Sequence, residues 1–164
     1  MASDEVDALV AAWKRERPAL DVAPLHVFSR VTRLSKHLDR ARRVAFTEHD
    51  LEASEFDVLA ALRRAGAPYA LSPGLLVDQL LVTSGTMTNR VDRLAAKGLV
   101  RREPDPEDGR GVLVYLTDSG RQRVDEALSA LLEQERALLG GLSKKDMTDL
   151  AHLLRTLLAP LDED

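Results

Sequence analysis

Residues 71–117 constrain the fold more than any other part of this chain. They read LSPGLLVDQLLVTSGTMTNRVDRLAAKGLVRREPDPEDGRGVLVYLT. Ser72 before Pro73 is a helix cap followed by a proline at the first helical position. Leu75, Leu76, Leu80 and Leu81 then make one apolar helical stripe. Thr83, Ser84 and Gly85 interrupt that stripe and supply a new cap. A second helix is expected from about residue 86 to residue 97. Its Met87, Val91 and Leu94 recur at i, i+4 and i+7 and face inward. Thr86, Asn89, Arg90, Arg93 and Lys97 fall on the other side. Gly98 suits the left-handed conformation that closes a helix.

The outward side of the second helix has the chemistry of a nucleic-acid face. Asn89 can pair with an adenine edge, and arginines can pair with guanine or phosphate. Ser84, Thr86, Thr88 and Lys97 suit backbone contacts. Between residues 84 and 102 there are five Lys or Arg and one acid, Asp92, a local charge of +4. Residues 99–102 and 112–116 read as two strands. The intervening PDPEDGRG favours a turn with Arg110 at its tip. A helix, a tight turn, a second helix and a basic-tipped ribbon make a winged helix-turn-helix. Its expected contacts are Ser84, Thr86, Thr88, Asn89, Arg90, Arg93 and Lys97 on the helix and Arg110 on the wing, with Arg93 and Asn89 reading bases and Lys97 the backbone.

The run SGTMTNRVDRLAAKGLVRREPDPEDGRGVLVYLTDSG resembles the DNA-binding lobe of the MarR family of transcriptional regulators, and its Asp108–Arg110 segment matches that family's wing-tip acid and arginine. The resemblance extends over nearly the whole chain. It implies a mainly α-helical fold, a winged helix-turn-helix with N- and C-terminal dimerisation helices, and a homodimer on a pseudopalindromic double-stranded operator. On that basis the 164 residues form one protomer. Residues 1–48 hold an extra helix and a dimerisation helix, 54–117 the winged lobe, and 118–164 the C-terminal dimerisation helices.

The flanking segments are consistent with this. Residues 3–17 read as a helix with Ser3 as a cap, acids in the first turn, and Val6, Leu9, Val10 and Trp13 on its apolar face. A long helix is expected from residue 24 to about 47, with Leu25, Phe28, Val31, Leu34 and Leu38 as its buried stripe. Ser54 is expected to cap a third helix that ends at Gly66. Thr117-Asp118-Ser119-Gly120 caps another from about residue 121 to 139, and Ser143 with Asp146 starts the last. Its Met147, Leu150, Leu153, Leu154, Leu157 and Leu158 form a stripe too apolar for a free surface. A second copy of the chain is the expected cover for both of these last helices, together with the helix of residues 24–47.

Net charge is −4, which does not oppose DNA binding because the field at the contact face outweighs the total. Cysteine is absent, so disulfides, thiolate metal sites and thiol-based sensing are excluded. No apolar run approaches a membrane span, and the first residues lack the pattern of a signal peptide, so a cytoplasmic protein is expected. No catalytic constellation stands out, and His26, His37, His49 and His152 are scattered; neither an enzyme, a cofactor nor a metal site is expected.

The N-terminal helix with its single tryptophan resembles the urate-responsive branch of the MarR family. That resemblance implies a pocket for an anionic purine built from Trp13, Asp57, Arg64, Arg90 and Arg102. Arginines can hold an anion bidentately, and Trp13 can stack on a flat ring. Asp57 and Arg64 equally suit a structural ion pair. A citrate-like tricarboxylate or a phenolic acid are the alternative effectors. A winged-helix protein-interaction module that binds no operator is the alternative of another class.

Overall fold

The computed structural model describes residues 3–162. The element order is α1 (Glu5–Glu16), α2 (Ala23–Thr47), α3 (Ala53–Arg64), β1 (Ala70–Leu71), α4 (Pro73–Leu80), α5 (Ser84–Ala96), β2 (Val100–Pro104), β3 (Val112–Leu116), α6 (Asp118–Leu139) and α7 (Lys144–Leu158), closed by a 3-10 turn at Ala159–Leu161. The fold is mainly helical with a small antiparallel sheet. It divides into two compact units between residues 42 and 43, inside α2.

The first unit holds α1 and most of α2. Asp4, not Ser3, caps α1: its carboxylate accepts the N–H groups of Val6 and Asp7, and Asp7 returns a bond to the Asp4 N–H. This reciprocal box satisfies donors that a helix start leaves open. Val6, Val10 and Val22 form a small core with Leu25 packed against it. Arg30 on α2 then grips both acids, at 2.9 Å from Asp4 and 2.8 Å from Asp7. These contacts lower both carboxyls below their ordinary range: for Asp4 the Arg30 hydrogen bond leads, for Asp7 the Asp4 backbone bond. The stripe expected to be buried on α2 is largely uncovered within one chain, with Phe28, Val31 and Leu34 all exposed.

The second unit carries the larger core. Phe46 and Phe56 stack at 4.2 Å, and Leu59, Leu62, Leu76, Met87, Leu94, Leu99 and Val114 are fully buried around them. Helix α3 begins two residues earlier than a Ser54 cap requires. The Glu52 N–H donates to the Glu55 carboxylate at 3.0 Å, so a glutamate pair starts the helix and Ser54 lies inside it. Helix α5 starts at Ser84 and α6 at Asp118, each immediately after its threonine cap.

The sheet has three strands in the order β1-β3-β2. The expected β2–β3 ribbon is present, with Arg102 opposite Val114 and Pro104 opposite Val112. The two-residue β1 joins β3 on its other side, pairing Ala70 with Tyr115. Helix α3 packs on α6, and Arg63 ties them by an ion pair to Asp125 at 2.9 Å. Gly120 on α6 approaches the Leu99 carbonyl so closely that a Cβ there would sit 2.0 Å from that oxygen. Helix α7 has no buried residue, and its Leu153, Leu154, Leu157 and Leu158 are exposed.

Candidate nucleic-acid interface

The two helices α4 and α5 meet at a tight turn. Ser72 caps α4 by accepting the Leu75 N–H at 3.2 Å, and Pro73 follows at its first position. Leu76 is fully buried, but Leu81 leaves the stripe. It ends α4 in the left-handed conformation at φ 52° and is 90% exposed. Thr83 then caps α5, accepting the Thr86 N–H at 3.2 Å. Met87, Val91 and Leu94 anchor the helix, at no more than 2% exposure each.

The outward residues of α5 divide into two groups. Ser84, Thr86, Thr88 and Asn89 are exposed in its first half, and Arg90 is half-buried. Thr88 donates its hydroxyl to the Ser84 carbonyl at 3.0 Å, within its own helix. The side chains of Asn89 and Arg90 have no hydrogen-bond or ion-pair partner among the described residues. The second half differs, which modifies the outward face expected for Arg93 and Lys97. Arg93 is bound to Glu52 at 2.9 Å and lies 3.8 Å from Glu55. Lys97 donates to Glu55 at 2.9 Å and to the Asp50 carbonyl at 2.8 Å.

Glu55 is 1% exposed, and its Oε2 accepts from the Glu52 N–H and the Lys97 ammonium. Burial alone would raise its carboxyl. The Glu52 N–H, the Lys97 ammonium and the Arg93 charge outweigh that and hold it below the ordinary glutamate range. On the opposite flank of α5, Asp92 forms an ion pair with Arg102 of β2 at 2.6 Å. A cavity of about 420 Å³ opens there between the start of α4, α5 and the wing, lined by Pro73, Met87, Thr88, Val91, Asp92, Arg102 and Val112. Helix α5 is thus ion-paired on both flanks while its first half faces solvent. Glu52, Glu55 and Asp92 are the functional candidates that sequence reading missed; the i, i+3 glutamates ahead of an apolar run were the available signal.

The wing tip is shaped by side-chain turns. Asp105 and Asp108 accept the N–H groups of Glu107 and Arg110, at 2.9 Å and 3.2 Å. The Asp105 N–H closes the loop on the Gly111 carbonyl at 2.9 Å. Arg110 is left exposed at the tip, with no ion pair among the described residues. At the base of the wing Arg101 lies over the Tyr115 ring at 4.8 Å.

The residues implied for an effector fall in both units. Trp13 belongs to the first, 47% exposed beside a cavity of about 390 Å³ that Leu20, Val22 and Leu25 also line. Asp57, Arg64, Arg90 and Arg102 belong to the second. Asp57 is half-buried on α3 and Arg64 is exposed at its last position. Arg102 is drawn against α5 by Asp92, as above.

With this geometry in view, the relatives are informative. The MarR family description matches residues 49–111, which run from the α2–α3 corner to the wing tip. The regulator PecS of Dickeya dadantii, an HTH-type transcriptional regulator, is 42% identical over 150 residues, covering 92% of this chain and 90% of PecS. The chain belongs to the MarR family of transcriptional regulators. Among solved MarR-type structures, a mutant of Escherichia coli MarR complexed with operator DNA matches with a TM-score of 0.69 at 27% identity, covering 95% of this chain and 99% of that one. BpsR of Bordetella bronchiseptica, whose DNA binding is regulated by 6-hydroxynicotinic acid, matches with a TM-score of 0.66 at 29% identity, over 80% of this chain and 91% of that one. Among the described residues there is no cluster able to hold a metal ion and no helix long and apolar enough to cross a membrane.

Proposed function

We propose that this MarR-family chain is a repressor that binds a pseudopalindromic operator as a homodimer and is released by a flat, anionic metabolite such as urate. The observation that carries the DNA reading is the first half of α5. It is solvent-facing, its Asn89 and Arg90 side chains are uncommitted, and the exposed Arg110 stands on the adjoining wing. Such a helix suits the major groove and such a tip the neighbouring minor groove. Ser84, Thr86 and Thr88 lie where phosphate contacts would fix the register. Arg93 and Lys97, held by acids, contribute through position.

The uncovered leucines of α6 and α7 support dimerisation, because apolar stripes of this size are unfavourable in water. A symmetric pair would set two α5 helices about 34–36 Å apart, one turn of DNA. The effector reading rests on Trp13, Asp57, Arg64, Arg90 and Arg102, and on a relative regulated by a planar ring acid. An effector acts only by favouring one arrangement of the dimer, and a coupling of about 1–3 kcal/mol is usual.

The test is anisotropy on a labelled duplex selected by the protein from a random pool, across a salt series and with urate added. Selective binding that falls steeply with salt and is relieved by urate is the expected result. A chain that selects no duplex would instead be a protein-interaction module.

A further inference from the structure

We propose that Glu55 is a positioning residue for DNA recognition: through Lys97 and Arg93 it sets the pose at which α5 presents Asn89 and Arg90. This rests on the DNA-binding reading above and adds a role for a residue that faces no groove.

Glu55 is the third residue of α3 and almost wholly out of water. A buried carboxylate is costly unless it is paired and hydrogen-bonded, so its cationic partners are not interchangeable with solvent. Lys97, its 2.9 Å partner, is the residue that closes α5. The pair therefore joins the start of one helix to the end of the other. Arg93 lies one turn earlier on the same flank and reaches both Glu52 and Glu55. A helix held at i and i+4 along one side resists rolling as well as sliding.

The roll matters for recognition. On a helix about 10–12 Å across, a turn of about 20° moves side-chain tips by roughly 2 Å. That exceeds the tolerance of a hydrogen bond to a base edge, whose length spans only about 0.5 Å. Lys97 gives two of its three ammonium N–H bonds to Glu55 and the Asp50 carbonyl, so a phosphate could take only the third. The ammonium also lies 3.8 Å from the Asp50 carboxylate. The lysine is thus occupied on several sides, which argues for a structural rather than an ion-exchanging part in binding.

The experiment compares the parent, Lys97→Gln and Glu55→Gln on two labelled duplexes of equal length, one selected by the parent from a random pool and one unrelated. Lys97→Gln lies at a part-exposed site and carries the test if Glu55→Gln folds poorly; melting followed by circular dichroism reports which variants are folded. The expected result for Lys97→Gln is affinity about tenfold lower on the selected duplex, similar to losing one base contact. Its affinity on the unrelated duplex and its salt slope stay at parent values. Glu55→Gln should lose discrimination in the same way while holding the unrelated duplex at least as well as the parent. A parallel loss of Lys97→Gln on both duplexes, with the salt slope reduced by about 0.9, would make Lys97 a phosphate contact and overturn the proposal. Parent-like discrimination by a folded Lys97→Gln would also overturn it. A parent that selects no duplex would bring down the DNA-binding reading itself, which the other outcomes leave standing.

Discussion

Arg93 and Glu52, 41 residues apart, meet in a two-point ion pair, with Nη2 2.9 Å from Oε2 and Nη1 3.4 Å from Oε1. The pair ties Arg93, whose side chain stays half exposed, to the residue that precedes α3. It leaves Asn89 and Arg90 as the uncommitted polar side chains in the first half of α5. An exposed pair of this kind contributes little to stability by itself, so its importance is geometric.

The first expectation follows from that division. Arg90→Ala or Asn89→Ala should lower affinity for a selected duplex by about 1–3 kcal/mol each and relax sequence preference at the contacted position. Affinity for unrelated DNA should change less with Asn89→Ala, which removes no charge. If both variants retain the parent's affinity and preference, base reading lies elsewhere on the protein.

The wing can be tested separately. Arg110 is exposed, and the turn beneath it is closed by backbone and aspartate bonds that do not use its guanidinium. Arg110→Ala should therefore weaken DNA binding and reduce the salt slope, with the melting temperature unchanged. Equal binding by mutant and parent would remove the wing tip from the mechanism.

The leucine face of α7 gives a third expectation. Leu154 is 37% exposed in the single chain and belongs to the stripe proposed to meet a second copy. Leu154→Asp would place a charge in that seam, at a cost on the order of several kcal/mol if it is covered. Analytical ultracentrifugation should then show monomers or aggregates. A soluble dimer with parent-like melting would refute this seam.

Gly120 supports a fourth expectation, on stability alone. A Cβ at this position would meet the Leu99 carbonyl at 2.0 Å and the Leu116 side chain at 2.9 Å. Backbone cannot step aside as a flexible side chain can. Gly120→Ala should destabilise the second unit by about 1–3 kcal/mol, despite the better helix propensity of alanine. Urea unfolding with an unchanged midpoint would contradict the close approach.

What was legible in the sequence was local. Ser72-Pro73, the Met87-Val91-Leu94 spacing and the Asp108-Gly109 turn each act within a few residues and place their elements, while the Thr83-Ser84-Gly85 cap narrows to Thr83 and α5 starts at Ser84, two residues earlier than expected. The pairing of Glu55 with Lys97 was not legible, because the two lie 42 residues apart and no periodicity connects them. The capping preference of serine pointed to Ser54, whereas the Glu52–Glu55 bond starts α3 earlier. Strand β1 is too short to show an alternating pattern. Gly120 looked like part of a cap, since only the fold brings Leu99 against it. Phe28, Val31 and Leu34 declared an apolar face, but periodicity names no partner for one.

The effector carries the last expectation. Arg64 is exposed at the end of α3 with no ion pair among the described residues, so its loss should disturb the fold little. Trp13, the chain's single tryptophan, is 47% exposed and can report an approaching ring by fluorescence. Urate is flat and singly anionic near neutral pH, so it can both stack and pair with arginine. It should quench Trp13 and release bound DNA. Arg64→Ala should blunt that release by about 1.5–3 kcal/mol, the worth of a hydrogen bond to a charged group, while keeping most DNA affinity. Arg90→Ala should impair release and DNA binding together, because the same residue serves both proposed contacts. Citrate titrated alongside separates the effector classes: release by citrate without a urate response would assign a tricarboxylate. A phenolic acid such as salicylate forms the third arm. DNA binding that stays intact against all three would discard the Trp13, Asp57, Arg64, Arg90 and Arg102 set as a ligand site.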